Sequence, residues 1–363
     1  MNNRLERDSN SFDCVIVGAG PSGLSLAYQL QKKRISYIVV EKKNVGNSWS
    51  HMADSLHLVS PWWTNCLSGT FINPLIALKK HSGKQYLSYL ERYSGIHKLN
   101  IQENFDVTEI STVDNDFMVK SQDCVINAKL VVLCTGYYST PYVPIITHEN
   151  DNSIPFLHAS KFKNVKCLKD DFPGVKKILI VGKRVTAGQL MVELHEAGID
   201  VDLSVRGRVI VKDNDTFLGR LKEQIYFFWE FLRIKFQPNL KVNSFPEMDG
   251  GKSSELIQSG EVRTFEIFHK IENGKVYMGT GNESYDLIYF ATGYLPNISL
   301  VNFNNEPDYK TIRISDSLEL ETTSGIYLLG FDNITNFRSR YLRGIKQDAK
   351  LLSKILVKRL GQK

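Results

Sequence analysis

The sequence predicts an α/β chain with two doubly wound, parallel-sheet domains, and three observations carry that expectation. Residues 13–18 (DCVIVG) form a short apolar run opening into a segment with Leu24, Ala27 and Leu30 at helical spacing. A second apolar run, Tyr37 to Val40, follows and ends at Glu41. This is a strand–helix–strand unit, the usual opening of a parallel sheet. The same order returns at 177–205, as the run KILIV, Gly182, a helix from about Ala187 to Glu196, Gly198 as its stop, and the run VDLSV. Two similar turns, Cys134-Thr135-Gly136-Tyr137 and Ala291-Thr292-Gly293-Tyr294, each end a buried apolar run (VVL and LIYF).

Length and composition agree with this. At roughly 150 residues per domain, 363 residues suggest two or three domains. With 42% hydrophobic and 23% charged residues the chain reads as soluble and globular. Forty-five basic against 39 acidic residues leave +6, too modest a charge to point to nucleic acid. The five cysteines (Cys14, Cys66, Cys124, Cys134, Cys167) are odd in number and show no CxxC spacing. That argues against a disulfide scaffold, a thiol zinc site and a redox dithiol, and for reduced, mostly structural thiols in a cytoplasmic protein. The polar stretch 1–13 is not expected to be a signal peptide. No apolar run approaches the ~18 residues of an integral membrane segment.

Further elements can be placed from spacing. Tyr86, Leu90 and Tyr93 put an amphipathic helix at 84–94, and 129–136 reads as a buried strand ending in a tight turn. The stretch IYFFWEFLRIKF (225–236) reads as an apolar helix. The chain closes with a strand at 325–330, a loop, and a helix from about Ile345 to Leu360.

Gly18-Ala19-Gly20-Pro21-Ser22-Gly23 is a full GxGxxG set between strand and helix. Gly18 makes the tight turn, Gly20 lets backbone approach a pyrophosphate, and Gly23 allows close helix–strand packing. The helix N-terminus supplies N–H groups for the phosphates, and Glu41 is placed to accept from a ribose 2′-hydroxyl. A glycine-rich structural turn is the alternative. The second loop, Gly182-Lys183-Arg184-Val185-Thr186-Ala187, has Arg184 where the middle glycine would stand. Either the cofactor sits further out, with Arg184 turned away or clamping phosphate, or the site is degenerate. The following strand ends in Ser204-Val205-Arg206-Gly207-Arg208, without an acid. A guanidinium there suits a 2′-phosphate and favours NADPH over NADH; solvated surface arginines are the alternative.

The residues then carry a family resemblance over nearly the whole chain, to class B flavin-dependent monooxygenases and especially the short YUCCA-type enzymes and their bacterial relatives. It rests on GAGPSG with Glu41, Asn47-Ser48-Trp49, Leu56-His57-Leu58 leading to Ser60-Pro61, and Lys84-Gln85-Tyr86 with Tyr89-Leu90-Glu91. Thr135-Gly136 followed by Pro141 and Pro144 resembles the family's first crossover, and Asp286 to Tyr294 with Asn297 its second. Gly325-Ile326-Tyr327 to Gly330-Phe331, then Leu342, Gly344-Ile345 and Asp348-Ala349, resembles its C-terminal segment. Three positions depart from the pattern. The FxGxxxHxxx(Y/F) fingerprint is reduced to His158-x-x-x-Phe162 with Ile154 at its glycine. Arg184 replaces a glycine, and Pro61 stands at the asparagine near the flavin, with Asn65 a possible substitute.

The resemblance implies two Rossmann-like domains, an NADPH domain (144–286) inserted into an FAD domain (1–143 and 287–363). It implies a monooxygenase that reduces FAD with NADPH, forms a C4a-(hydro)peroxyflavin with O2 and passes one oxygen atom to a moderately apolar small molecule. Gly18, Gly20, Pro21, Ser22, Gly23 and Glu41 would hold FAD, with Thr135, Gly136, Thr292, Gly293, Gly330 and Leu342 along the cofactors. Trp49, Ser60, Pro61 and Asn65 would lie at the flavin ring, and Gly182, Lys183, Arg184, Thr186 and Arg206 at NADPH. A flavin reductase without oxygen transfer and a redox sensor with a degenerate second site are the rival readings, and a homodimer is possible. Trp62 and Trp63 stack on flavin or line a substrate pocket, with buried core or rim as the alternative. His158 is a site residue or an interdomain hydrogen bonder. Asp332 meets the flavin ribityl chain or lies in a surface loop. The aromatic stripe Phe227, Phe228, Trp229 and Phe231 packs as core or a lid, in preference to docking a membrane or a greasy substrate. Lys354, Lys358, Arg359 and Lys363 favour the last helical turn through its dipole.

Overall fold

The computed structural model describes residues 10–114, 116–144, 147–148, 153–212, 216–241, 248–249, 251–279, 281–296, 300, 314–315 and 317–361; Asn297 and Lys363 lie outside them. The chain opens with β1 (Ser11–Val17), α1 (Pro21–Lys32) and β2 (Tyr37–Val40). Three one-turn helices follow, α2 (Asn47–Ser50), α3 (Trp62–Asn65) and α4 (Pro74–Ala77), then α5 (Gly83–Ile96) and β3 (Ile101–Gln102). A meander of β4 (Glu109–Val113), β5 (Asp116–Lys120) and β6 (Val125–Leu133) completes the first pass. The sheet order is β3-β2-β1-β6-β5-β4. Its β3, β2, β1 and β6 run parallel, while β5 pairs antiparallel with both β6 and β4.

Between the two visits to this sheet lies a second domain. Its elements are β7 (Thr147–His148), β8 (Phe156–His158), α6 (Val165–Asp171), β9 (Lys177–Val181), α7 (Val185–Glu196), β10 (Asp200–Val205), β11 (Val211–Lys212) and α8 (Phe217–Phe236). They continue with β12 (Met248–Asp249), α9 (Lys252–Ser259), β13 (Arg263–Glu266), β14 (Lys270–Glu272), β15 (Lys275–Met278), β16 (Gly281–Glu283) and β17 (Leu287–Phe290). Five strands form a parallel sheet in the order β13-β10-β9-β17-β8. The chain then returns to the first sheet as β18 (Ile326–Leu328), which pairs with the end of β6, and finishes in α10 (Leu342–Gly361). Since β17 is hydrogen-bonded inside the second sheet, the expected 286/287 boundary falls one strand early, and the chain crosses back at 291–295.

The elements follow from the pattern. Cys14, Val15 and Ile16 are wholly buried, as expected of a parallel strand covered on both faces. The face of α1 bearing Leu24, Ala27 and Leu30 packs against α10, which buries Ile345, Ala349, Leu352 and Leu356. Helix α5 starts at a reciprocal capping box, Ser82 with Gln85, and buries Tyr86, Leu90 and Tyr93, the three residues that predict it. All five cysteines are free: Cys14, Cys66 and Cys134 are buried, Cys124 and Cys167 exposed.

The domains meet along three seams. The crossover segments run side by side, Tyr142 N donating to Gly293 O at 2.9 Å and Leu295 N to Thr140 O at 2.8 Å. The 50–57 loop meets the second domain through Lys163 and Asp54 (3.1 Å), Asn164 and Asp54 (2.9 Å), and Gln189 Nε2 donating to His57 O (3.0 Å). The third seam is α8. Its Glu223 pairs with Lys80 at 3.1 Å, and its Glu230 takes Arg343 in a two-pronged contact at 2.7 and 3.1 Å with Arg338 Nε at 3.1 Å. Both carboxylates are buried. Here the expectation of a core or lid stripe is corrected: Phe227 is buried, but Phe228, Trp229 and Phe231 are exposed. The seam is built from ion pairs, so the acids occupy the inward face and turn the neighbouring rings outward.

Asp348, in the buried face of α10, accepts from Thr335 Oγ1 at 2.5 Å through Oδ1, while Oδ2 has no partner among the described residues. Burial raises its carboxyl to about 6, against the opposing pull of Thr335, Ser339 and Arg338. A raised carboxyl binds its proton more tightly folded than unfolded. Its contribution is therefore full below pH ~4 and is lost as pH rises to about 6, a swing on the order of 3 kcal/mol. Asp348→Asn should be more stable than the parent at pH 7.5 and no more stable at pH 4, as measured by urea unfolding; an equal difference at both pH values would refute this assignment.

Candidate functional site

Two loops of the same build stand at the ends of β1 and β9. Gly18 has φ +108°, and a Cβ there would lie 2.7 Å from Cys134 O, the residue that opens the first TGY turn. Gly182 has φ +151°, and its Cβ would lie 2.6 Å from Ala291 O, the residue that opens the second. Each loop is thus pressed onto the carbonyl of the strand beside it, and only glycine fits. The Gly23 Cβ would fall 1.9 Å from Gly18 O, so α1 sits as close to β1 as backbone allows. Gly20 is different. It has ordinary φ (−79°), and a Cβ there would meet nothing within 4 Å. Its lack of a side chain leaves room above the loop without relieving any internal contact.

Helix α1 starts at Gly20 with Pro21 in its first turn and no side-chain cap, which leaves first-turn N–H groups directed at that open space. Glu41, at the end of β2, takes Ala19 N on Oε2 at 2.8 Å and Lys43 N on Oε1 at 3.2 Å. These bonds fix the carboxylate beside the loop. Ser22 is buried under Gly330 (φ +86°), whose Cβ would come within 2.2 Å of Ser22 Oγ, so the turn after β18 closes over the start of α1. Gly136 (φ +65°) and Gly293 (φ +85°) occupy equivalent left-handed positions with open space where a Cβ would be. Thr135 precedes the first, and Thr292 Oγ1 donates to Tyr142 O beside the second. Leu342 is the first residue of α10.

Trp49, Ser60, Pro61 and Asn65 gather around Tyr86. The Trp49 ring lies 4.6 Å from that of Tyr86, and Tyr86 Oη donates to Asn65 O at 3.2 Å. Asn65 is buried, and its side chain closes its own loop. Oδ1 accepts from Ser60 Oγ (2.8 Å) and Thr64 Oγ1 (3.2 Å), and Nδ2 donates to Ser60 O (2.9 Å). Pro61 caps α3 and is buried. Trp62 is core, against Tyr89 (4.6 Å) and His81 (4.5 Å), while Trp63 Nε1 donates to Gln224 of α8.

In the second loop Arg184 caps α7 with extended backbone (φ −118°, ψ −170°), close to that of Gly20. The arginine therefore costs the loop no strain; it only places a side chain, exposed here, where the first loop is bare. Lys183 Nζ donates to Arg208 O at 3.1 Å and so ties the loop to the end of β10. Arg206 and Arg208 are exposed there. Thr186 faces the 50–57 loop of the first domain across a small gap also lined by Ala53 and Gln189.

His158 is the interdomain hydrogen bonder: Nε2 meets Gly293 O at 2.9 Å, Nδ1 meets Ser160, and the ring rests on Tyr294 at 4.8 Å. Burial holds its pKa below the usual imidazole value. Asp332 pairs with Arg340 at 3.0 Å, and its N–H donates to Tyr137 Oη at 2.6 Å, which pins the first TGY turn to the C-terminal segment. Sequence reasoning missed the Tyr137–Asp332 contact and the partners of Glu230, because each joins residues more than a hundred positions apart.

Known proteins agree with this geometry. The model for pyridine nucleotide-disulphide oxidoreductases matches residues 15–330. An uncharacterized CzcO-like oxidoreductase of Geobacillus kaustophilus is 26% identical, over 94% of this chain and 97% of its own. A probable indole-3-pyruvate monooxygenase, YUCCA4 of Arabidopsis thaliana, is 25% identical over 78% of this chain and 76% of its own. In structure, a flavin-containing monooxygenase from Stenotrophomonas maltophilia superposes with a TM-score of 0.78 at 18% identity, covering 97% of this chain and 99% of that one. OTEMO in complex with FAD and NADP gives 0.70 at 13% identity, over 98% and 86%. The family model spans most of the chain, and the chain is an oxidoreductase of the pyridine nucleotide-disulphide oxidoreductase family.

Proposed function

We propose that this oxidoreductase is an FAD- and NADPH-dependent monooxygenase acting on a moderately apolar small molecule. The observation that carries the reading is a pair of matched nucleotide loops without a thiol pair to receive electrons. No CxxC occurs in the sequence. Burial raises the thiols of Cys14, Cys66 and Cys134, which disfavours the reactive thiolate. The likeness to the Stenotrophomonas and YUCCA monooxygenases supports the same reading.

The residues fit both dinucleotides. The bare Gly20 and the uncapped turn of α1 suit an FAD pyrophosphate, with Gly18, Ser22 and Gly23 setting the loop and Glu41 accepting from a ribose hydroxyl. Gly182, Lys183, Arg184 and Thr186 form the NADPH loop, and Arg206 offers forked donors to a 2′-phosphate. Flavin, when bound, supplies the electron transfer from NADPH to O2 that puts one oxygen atom into substrate and the other into water. The protein's part is to position and exclude water: Trp49, Ser60, Pro61 and Asn65 are buried, and the Asn65 side chain holds Ser60 in place.

Three experiments test this. With 18O2, NADPH and a panel of apolar amines, sulfides and ketones, one labelled atom should appear in product; NADPH oxidation that proceeds equally with a quinone under argon and never labels product would make the chain a reductase. Gly20→Ala should lose bound flavin yet keep the unfolding midpoint of the flavin-free parent, whereas Gly23→Ala should fall below that midpoint, read by calorimetry beside flavin absorbance. A Gly20→Ala protein that keeps its flavin would remove the pyrophosphate from this loop. Arg206→Ala should raise the KM for NADPH about tenfold, the worth of ~1.4 kcal/mol, and leave that for NADH nearly unchanged; equal losses would refute the 2′-phosphate assignment.

A further inference from the structure

The proposed chemistry leaves unused the outward face of α8. This helix is amphipathic in the reverse sense. Its only two acids, Glu223 and Glu230, are buried in the domain seam. Phe227 and Ile234 are buried with them, but six other apolar side chains face solvent, Leu218, Leu221, Ile225, Phe228, Trp229 and Phe236, with Trp229 63% and Phe236 79% exposed. At 100° per residue these six form one stripe opposite the buried acids. Arg220 and Lys235 fall along one edge of it and Lys222 and Arg233 along the other, all four exposed. The stripe runs the length of a 20-residue helix, about 30 Å. The Lys80–Glu223 pair also ties α8 to the 71–80 segment, which exposes Phe71 (86%) and Leu75 (82%) and carries Lys79.

We propose that α8 docks the chain on an anionic membrane surface, lying in the plane of the interface. The stripe would enter the headgroup layer, with the flanking lysines and arginines on lipid phosphates. An apolar stripe with aromatics, edged by cations on both sides, is the pattern of an interfacial helix. No helix among the described residues is long and apolar enough to cross a membrane, so the contact is peripheral. A second copy of the chain fits less well. Two α8 helices packed face to face would bring Lys222, Arg233 and Lys235 against the same three cations, and the stripe carries no acid among the described residues. An anionic bilayer answers both the charge and the apolar area. The inference stands whether or not the chain is a monooxygenase.

Sedimentation of the purified full chain with vesicles tests it, comparing phosphatidylcholine alone with an equal mixture of phosphatidylcholine and phosphatidylglycerol. The parent should sediment with the mixed vesicles and stay free of the neutral ones, and should come off as salt is raised. The emission of Trp229, the most exposed of the four tryptophans, should shift to the blue on binding. Ile225→Ser with Phe228→Ser, and separately Lys222→Gln with Lys235→Gln, should each weaken binding at least tenfold. Leu351→Ser, an exposed apolar change on α10, should not weaken it. All the substituted side chains are already exposed, and circular dichroism checks that each variant folds. The proposal is overturned if the parent ignores mixed vesicles at low salt, if neither pair of substitutions weakens binding, or if light scattering shows a dimer that Phe228→Ser dissolves.

Discussion

The carbonyl of Cys134 resting on Gly18, and that of Ala291 resting on Gly182, set the geometry from which both nucleotide loops follow. A side chain at either glycine would overlap backbone oxygen. The contact brings the end of a central strand, the start of a helix and the crossover turn to one point. Everything placed near that point inherits its position: the uncapped turn of α1, Glu41 tied to Ala19 N, and the turn at Gly330 lying over Ser22. The domain seams serve the same end, since hydrogen bonds and ion pairs hold α8 and the 50–57 loop to the neighbouring domain.

The two loops are not equivalent. The first is bare at its centre and the second carries Arg184, yet their backbones are nearly the same at that position. A glycine in such a loop serves either conformation or space, and here the extended backbone shows that it serves space. The first loop therefore offers bare backbone at its centre, and the second offers side chains. Lys183, Arg206 and Arg208 stand together at the second, joined by the Lys183–Arg208 bond.

Much of this was legible in the sequence, and for local reasons. The two strand–helix–strand units, the paired TGY turns and α5 each announce themselves through spacing or glycine chemistry within about thirty residues. The closing of Asn65 onto Ser60 was not legible, because two polar residues five apart carry no sign of which atoms they share. Nor was the orientation of α8. An FFWEFL run reads as core because large apolar residues are usually inside. Its buried face was decided by Lys80, Arg338 and Arg343, more than a hundred residues away along the chain. The place of β17 in the second sheet was likewise a matter of pairing, and periodicity cannot choose between sheets.

The return of the chain to its first sheet bears on how the protein is made. The five parallel strands of the second domain all lie between Phe156 and Phe290, so that domain has its whole sheet once this stretch has left the ribosome. The first domain must wait. Its β6 lacks a neighbour until β18 emerges, and α1 lacks its cover until α10 does. During synthesis the exposed flank of β6 and the apolar face of α1 are therefore open for the time needed to add about two hundred residues, on the order of ten to forty seconds at the usual elongation rate. The domain begun first is completed last, and its half-built sheet is the stage at which chaperones have most to protect.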